Sequence, residues 1–196
     1  MTYFEELEKK TGGKDRSVRW FRDKIREMGT PAPSTLIREG VVRTNPRFGQ
    51  MNFFLYSPKY KDDRKILPYY DRFPLIMPIA PDGGGGLGES FVGLNFHYLS
   101  IPMRLKLLNV ITEFADNDKF DETTRIRLTW NKIKRNRLVQ PCVKKYLMSH
   151  VKSPFRVINA EEMMTAVLLP VQQFRHATDK QVYADSRRMT TQPIRN

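Results

Sequence analysis

The chain is nearly free of cysteine: Cys142 stands alone in 196 residues. That excludes an internal disulfide and a cysteine-based structural zinc site. It also lacks any apolar run near the roughly 18 residues that a bilayer span requires, so no membrane partner is expected. The opening Met1-Thr2-Tyr3-Phe4-Glu5-Glu6-Leu7-Glu8 has neither a basic nor an apolar stretch of the signal-peptide kind, which predicts a product that stays in the cytoplasm where it is made. Histidine is scarce too. His97, His150 and His176 fall in three separate segments with no metal-ligand spacing, so neither metal nor cofactor is expected. Acidic residues are outnumbered, 21 against 34 Lys and Arg, for a net charge of +13. Such a balance points to nucleic acid, a membrane surface or acidic protein as partner.

A hydrophobic share of 40%, with 11% aromatic residues, is the composition of a folded domain. The positive charge is uneven. Residues 51–100 balance to zero, whereas 101–150 carry eleven basic and five acidic side chains. A neutral aromatic centre with basic flanks predicts a folding nucleus carrying charged outer elements.

Helical spacing is clearest where caps agree with it. Ser17 precedes Val18, Phe21, Ile25 and Met28 at helical spacing, and Gly29 closes that run. Residues 1–10 read as a short amphipathic helix ended by Gly12-Gly13, and 34–37 as one helical turn. The centre then changes period. Met51–Tyr56, Phe73–Ile79 and Phe91–Tyr98 are aromatic and strand-like. Pro74 and Pro78 predict an edge or irregular strand for the second. Ser100 introduces a helix with an apolar stripe of Met103, Leu107, Val110, Ile111 and Phe114. A further helix starts at Asp121-Glu122, with Ile126, Trp130 and Ile133 on one side. Val143–His150 reads as a short helix, Ser153–Ile158 as a strand, Ala160–Leu169 as a helix capped by Asn159, and 179–188 as a last helix. The expected fold is α+β: a small antiparallel aromatic sheet, or partial barrel, packed by several helices, with extended N- and C-terminal arms. Residues 1–16 form an arm or short helix, 17–188 a single domain and 189–196 a tail.

Few motifs speak for chemistry. Gly83–Gly86 resembles a phosphate loop, but no Gly-Lys-Ser/Thr follows and the next segment is strand-like, so it reads as a hairpin linker. Cys142 and His150 lack the third group that orients a thiol and its base. Asp116, Asp118, Asp121 and Glu122 lack the glycine and terminal glutamate of a calcium loop, and capping explains the last two. No metal-binding carboxylate set of the nuclease kind is visible, so the chain reads as non-enzymatic. His97, within an aromatic strand, reads as a hydrogen-bonded structural residue. Tyr69, Tyr70 and Phe73 offer rings for base stacking, with core packing the stronger reading.

The strongest functional signal runs from Arg125 to Lys145, where eight basic residues meet no acidic one. Arg125, Arg127, Lys132, Lys134, Arg135, Arg137, Lys144 and Lys145 are the candidate contacts, to DNA phosphates or to an acidic partner chain alike. A solvated face usually mixes charge signs; this one does not.

Five segments carry a resemblance: Trp20-Phe21-Arg22-Asp23-Lys24, Leu67-Pro68-Tyr69-Tyr70-Asp71-Arg72-Phe73-Pro74-Leu75, Gly93-Leu94-Asn95-Phe96-His97-Tyr98-Leu99, Pro141–Leu147 and Leu168–Phe174. Through them the chain, from about Ser17 to Arg188, resembles the DNA end protector and head-completion protein family of T-even-like contractile-tailed phages. The resemblance implies a virion protein, made in the host cytoplasm. It would bind double-stranded DNA termini and complete filled heads for tail joining, beside other virion proteins of the portal, neck or tail. The alternative is a structural neck or baseplate adaptor that uses the same basic surface and its arms, Met1–Lys14 and Met189–Asn196, against protein. The quoted segments look like fold determinants, and the family lends no functional residue to these positions.

Overall fold

The computed structural model describes residues 1–46, 49–58, 68–81, 89–115, 130–131 and 133–191. Six α-helices lie among the described residues: α1 (Tyr3–Thr11), α2 (Val18–Met28), α3 (Pro33–Arg38), α4 (Ile101–Ala115), α5 (Met163–Leu168) and α6 (Asp179–Thr191). Eight strands accompany them: β1 (Val42–Arg43), β2 (Met51–Phe53), β3 (Tyr70–Asp71), β4 (Leu75–Pro81), β5 (Ser90–Asn95), β6 (Val143–Leu147), β7 (Phe155–Ile158) and β8 (Phe174–Arg175). An open antiparallel sheet runs in the order β1-β7-β2-β4-β5-β6, and β3 and β8 make a separate two-stranded ribbon. The architecture is α+β, as the periodicity predicts. Among the described residues no helix is long and apolar enough to cross a membrane.

The helices begin and end where local chemistry tells them to. Thr2 and Glu5 form a reciprocal capping box on α1, and Gly12 at φ 65° closes it. Ser17 accepts the Trp20 N–H at the start of α2, and Gly29 at φ 80° ends it. Asn159 and Glu162 make a second capping box before α5. Met189 to Thr191 continue α6.

One face of the sheet and all of these helices except the last share the main core. It gathers Phe4 and Leu7 of α1, Ile25, Leu36, Met51, Phe53, Leu75, Leu94, Leu107, Leu108, Ile111 and Val167. The other face carries a smaller aromatic cluster of Phe54, Tyr56, Phe91, Tyr146 and Phe155 around Ile76. Its rings meet edge-on or offset, at centroid separations of 4.8–6.2 Å. Arg156 of β7 enters the main core from the sheet. It makes a two-pronged ion pair with Glu162 at 2.8 and 2.9 Å and lies 4.7 Å over the Phe4 ring. A Cβ on Gly40 would meet that guanidinium at 2.4 Å, so the glycine is what leaves room for it.

Two sequence expectations need correction, those for the third aromatic strand and for Val143–His150. β4 is the irregular strand that Pro74 and Pro78 predict, with a register shift between Pro78 and Ala80, and it lies in the interior of the sheet. Pro78 is tolerated because β2 pairs only with Leu75 and Ile76. Its carbonyl accepts the Gly49 N–H, so the position where its own N–H would lie faces the side that β2 has already left. The third aromatic strand stops at Asn95, whose side chain accepts the His97 N–H and turns Phe96–Tyr98 into a single 3-10 turn. Val143–Leu147 is a strand, not a helix. It pairs with the free edge of β5 over five residues, from Leu94↔Val143 to Ser90↔Leu147, and tertiary pairing overrides its local propensity. The four-glycine run lies outside the described residues. The strands on either side of it, β4 and β5, pair antiparallel up to Pro81↔Phe91.

In α4, Leu107 and Ile111 are buried against α5 and the sheet; the Phe114 side chain lies outside the described residues. Leu107→Ala should therefore cost about 2–5 kcal/mol, the usual range for a buried leucine. Thermal unfolding of the variant beside the parent chain checks this. An unchanged midpoint would mean that the stripe does not pack as described.

Candidate nucleic-acid interface

A buried carboxylate sets the position of the β3–β8 ribbon. Asp71 is 2% exposed, and its two oxygens gather donors from three parts of the chain. Oδ1 accepts the N–H groups of Phe73 (3.1 Å) and Gln173 (3.0 Å). Oδ2 lies 2.7 Å from His97 Nδ1 and 3.3 Å from the Asn95 amide, which also donates to the Tyr146 hydroxyl. Burial pushes the Asp71 carboxyl up, but His97 and the two backbone N–H groups outweigh it and hold it below its ordinary value. Burial acts on His97 too and, with Arg104 nearby, outweighs the pull of Asp71 and holds the ring below its ordinary value, so a neutral ring donates from Nδ1 to an ionised Asp71.

Arg104 is the cationic counterpart. It stands in the apolar stripe of α4, three and four residues ahead of Leu107 and Leu108, and is fully buried. Nε donates to the Leu99 carbonyl, one terminal nitrogen to the Leu169 carbonyl, and the other to Gln172 Oε1 and the Tyr183 hydroxyl, at 2.8–3.1 Å. It thereby satisfies a carbonyl that the end of α5 leaves unpaired and fastens α6 to the domain.

With its inner side held by Asp71 and Phe174, the ribbon turns Arg72 and Arg175 outward, while Tyr70 packs against the edge of the aromatic cluster. Tyr70 pairs with Arg175, and the Arg72 N–H continues the ladder to the Gln173 carbonyl. Alternation then puts Tyr70, Arg72, Gln173 and Arg175 on one face, with both arginines exposed. The exposed His176 ring stands 6.1 Å from that of Tyr70. Tyr69 packs inward with Tyr98 and Phe174, and burial and Asp185 raise its hydroxyl above the ordinary value. Phe73 is fully buried, stacked on Phe53 at 4.9 Å.

Among the described residues, the basic block predicted from the sequence is spread over a turn and a strand. Arg125, Arg127 and Lys132 lie outside the described residues, as do Asp116, Asp118, Asp121 and Glu122. Trp130, Asn131 and Ile133 are helical, after which the chain turns, leaving Lys134, Arg135 and Arg137 exposed. Pro141 opens a 3-10 turn into β6, which sends Lys144 and Lys145 to opposite faces. Lys145 is exposed. Lys144 is instead committed to the fold: its amine sits 4.1 Å over the Tyr98 ring, and burial lowers it from its ordinary value. Cys142 and His150 do not form a thiol–base pair. Cys142 donates to the Leu138 carbonyl at 3.2 Å and burial pushes its thiol up to about 12, while His150 packs near the Tyr56 ring.

The family model described as Phage T4 terminal DNA protecting protein matches residues 5–190. The chain belongs to that family. No curated protein and no solved structure matches it. Four of the segments that carry the family resemblance meet around the buried polar centre. They supply Asp71 itself, its partners Asn95, His97 and Gln173, the Tyr146 hydroxyl bonded to Asn95, and the Leu169 and Gln172 acceptors of Arg104. In this member of the terminal DNA protecting family those segments determine the fold.

Truncation of Asp71 to Ala should be strongly destabilising, because it leaves the buried donors of Phe73, Asn95, His97 and Gln173 without their acceptor, at about 1–3 kcal/mol for each donor left unpaired. The pH response has a defined sign. Below the ordinary histidine value of 6.5 the unfolded chain binds a proton that folded His97 refuses, so stability falls as pH drops from 7 toward 5. The Asp71 contribution is lost lower, as pH falls below 3.8 and through the depressed native value. His97→Asn, which keeps an N–H for Asp71, should flatten the first decline. Melting temperatures across this range check both.

Proposed function

We propose that the chain is a non-enzymatic virion protein that binds the ends of packaged double-stranded DNA and completes the filled head for tail joining. Family membership over residues 5–190 carries this reading, and the net charge of +13 supports it. Among the described cations of the basic block, Lys134, Arg135, Arg137 and Lys145 are exposed, while Arg125, Arg127 and Lys132 belong to the same unmixed run. Binding by such side chains is sequence-independent: phosphate neutralisation releases counterions whatever the bases are. In this mechanism the protein covers a terminus and denies it to an exonuclease, so no bond is made or broken by the protein itself.

A second reading, a neck or baseplate adaptor, is favoured by one observation. β6 is an edge of the sheet, and Val143 and Leu147 on its outward face are 36% and 38% exposed. In that reading Lys145 between them meets an acidic partner chain.

Neutralisation of roughly five phosphates gives a log–log salt slope near −4 to −5. Reversing Lys134, Arg135 and Arg137 to Glu should reduce that slope by about 0.9 for each phosphate left without its cation, and weaken binding to all sequences alike. Folding should be spared, since all three are exposed. The parent protein should also slow a processive exonuclease on linear DNA. Unchanged DNA affinity together with failure to enter particles would replace the DNA reading with the adaptor.

A further inference from the structure

We propose that the outer face of the β3–β8 ribbon seats the open end of the duplex. His176, backed by Tyr70, lies against the terminal base pair, and Arg72 and Arg175 hold the flanking phosphates. The inference rests on the DNA-end reading above and says where on the molecule the end is recognised.

Three independent observations converge on this face. Arg72 and Arg175 are both exposed, and among the described residues neither forms an ion pair with a carboxylate, unlike Arg156 and Arg188, which do. A ring system accompanies them: His176, exposed, backed at 6.1 Å by the half-buried Tyr70 at an interplanar angle of 60°. Finally, His176 has φ 67° and is the one non-glycine residue with positive φ among the described residues. Glycine would hold that conformation without strain, yet an imidazole stands there and is turned toward the Tyr70 ring.

This combination suits an end better than the middle of a duplex. Along the helix the base faces are stacked on one another, and only phosphates and groove edges are offered. At a terminus one base pair has an uncovered face, which an aromatic ring or a guanidinium plane covers with little regard to sequence. Charge complementarity names the occupant: two unpaired guanidinium groups beside a ring fit a phosphate–base–phosphate step. The ribbon beneath is anchored, because Asp71 bonds to Gln173 beside β8, to Asn95 at the end of β5 and to His97 after it, so little ordering remains to be done on binding.

The test compares a blunt duplex bearing 2-aminopurine at its terminal position with the same duplex labelled internally, and with a dumbbell whose ends are closed by hairpin loops. The parent chain should change the terminal fluorescence and not the internal one, and should prefer open ends to the dumbbell by about tenfold, the scale of one stacked base. Arg72→Ala, Arg175→Ala and His176→Gly combined should abolish the fluorescence change and the preference. Salt-dependent binding to the dumbbell, carried by the basic block, should persist. Should the triple variant melt early, Arg175→Glu alone, at an exposed position, gives the same comparison. A folded variant that keeps its end preference, or a parent chain that leaves the terminal probe unaffected, overturns the proposal while the DNA-end reading stands. A parent chain that binds no DNA overturns both. A variant that keeps end preference but no longer enters particles makes the ribbon a protein contact instead.

Discussion

The ionised carboxylate of Asp71, buried away from water, is the interaction on which the rest of the arrangement depends. A lone buried charge is too costly to persist, so the chain must bring donors to it. It does so from Phe73, Asn95, His97 and Gln173, the last of them 102 residues along the chain from Asp71. Bonds to a charged group contribute about 1.5–3 kcal/mol each, and leaving any donor behind costs a comparable amount. The pairing of β3 with β8, the turn after β5 and the path of the chain between α5 and α6 are therefore one decision rather than three. Arg104 completes it from the side of α4 by taking the Leu169 carbonyl, Gln172 and Tyr183.

A positive surface follows from how the acidic residues are spent. Asp71 is buried, Glu162 holds Arg156, Asp185 holds Arg188, and Asp23 and Glu27 sit on α2 beside their own basic neighbours. Lys134, Arg135, Arg137, Arg72 and Arg175 are left exposed. The turn before β6 and the ribbon are thus among the places where the net charge of +13 reaches the surface. The ribbon serves both ends of this logic: its inner face fixes the fold and its outer face presents the unpaired guanidinium groups.

Much of this is legible in the sequence, and the failures have physical causes. Ser17 with Gly29 bounds α2, and the apolar stripe from Met103 locates α4, because caps and periodicity act within one turn. His97 is readable as a structural histidine from its aromatic strand, but its partner Asp71 lies 26 residues away and no local pattern reveals such a pair. Arg104 carries a signal of its own: a charge at the i position of a Leu107–Leu108–Ile111 stripe must either snorkel or find carbonyls inside. Val143–Leu147 misleads because its residues suit a helix until the open edge of β5 is placed beside them. The basic block is visible as composition. What periodicity does not reveal is that Lys144 and Lys145 alternate across a strand, so that one of them packs on Tyr98.

Photo-crosslinking of a duplex with a reactive base at one terminus, followed by mapping of the attached peptides, tests the central claim most directly. Attachment is expected at Tyr70–Arg72 and Arg175–His176 when the reactive base is terminal, and should disappear when the same base is moved inward or the end is closed. Attachment that ignores the position of the base, or that maps to the exposed face of α2 in place of the ribbon, would contradict it.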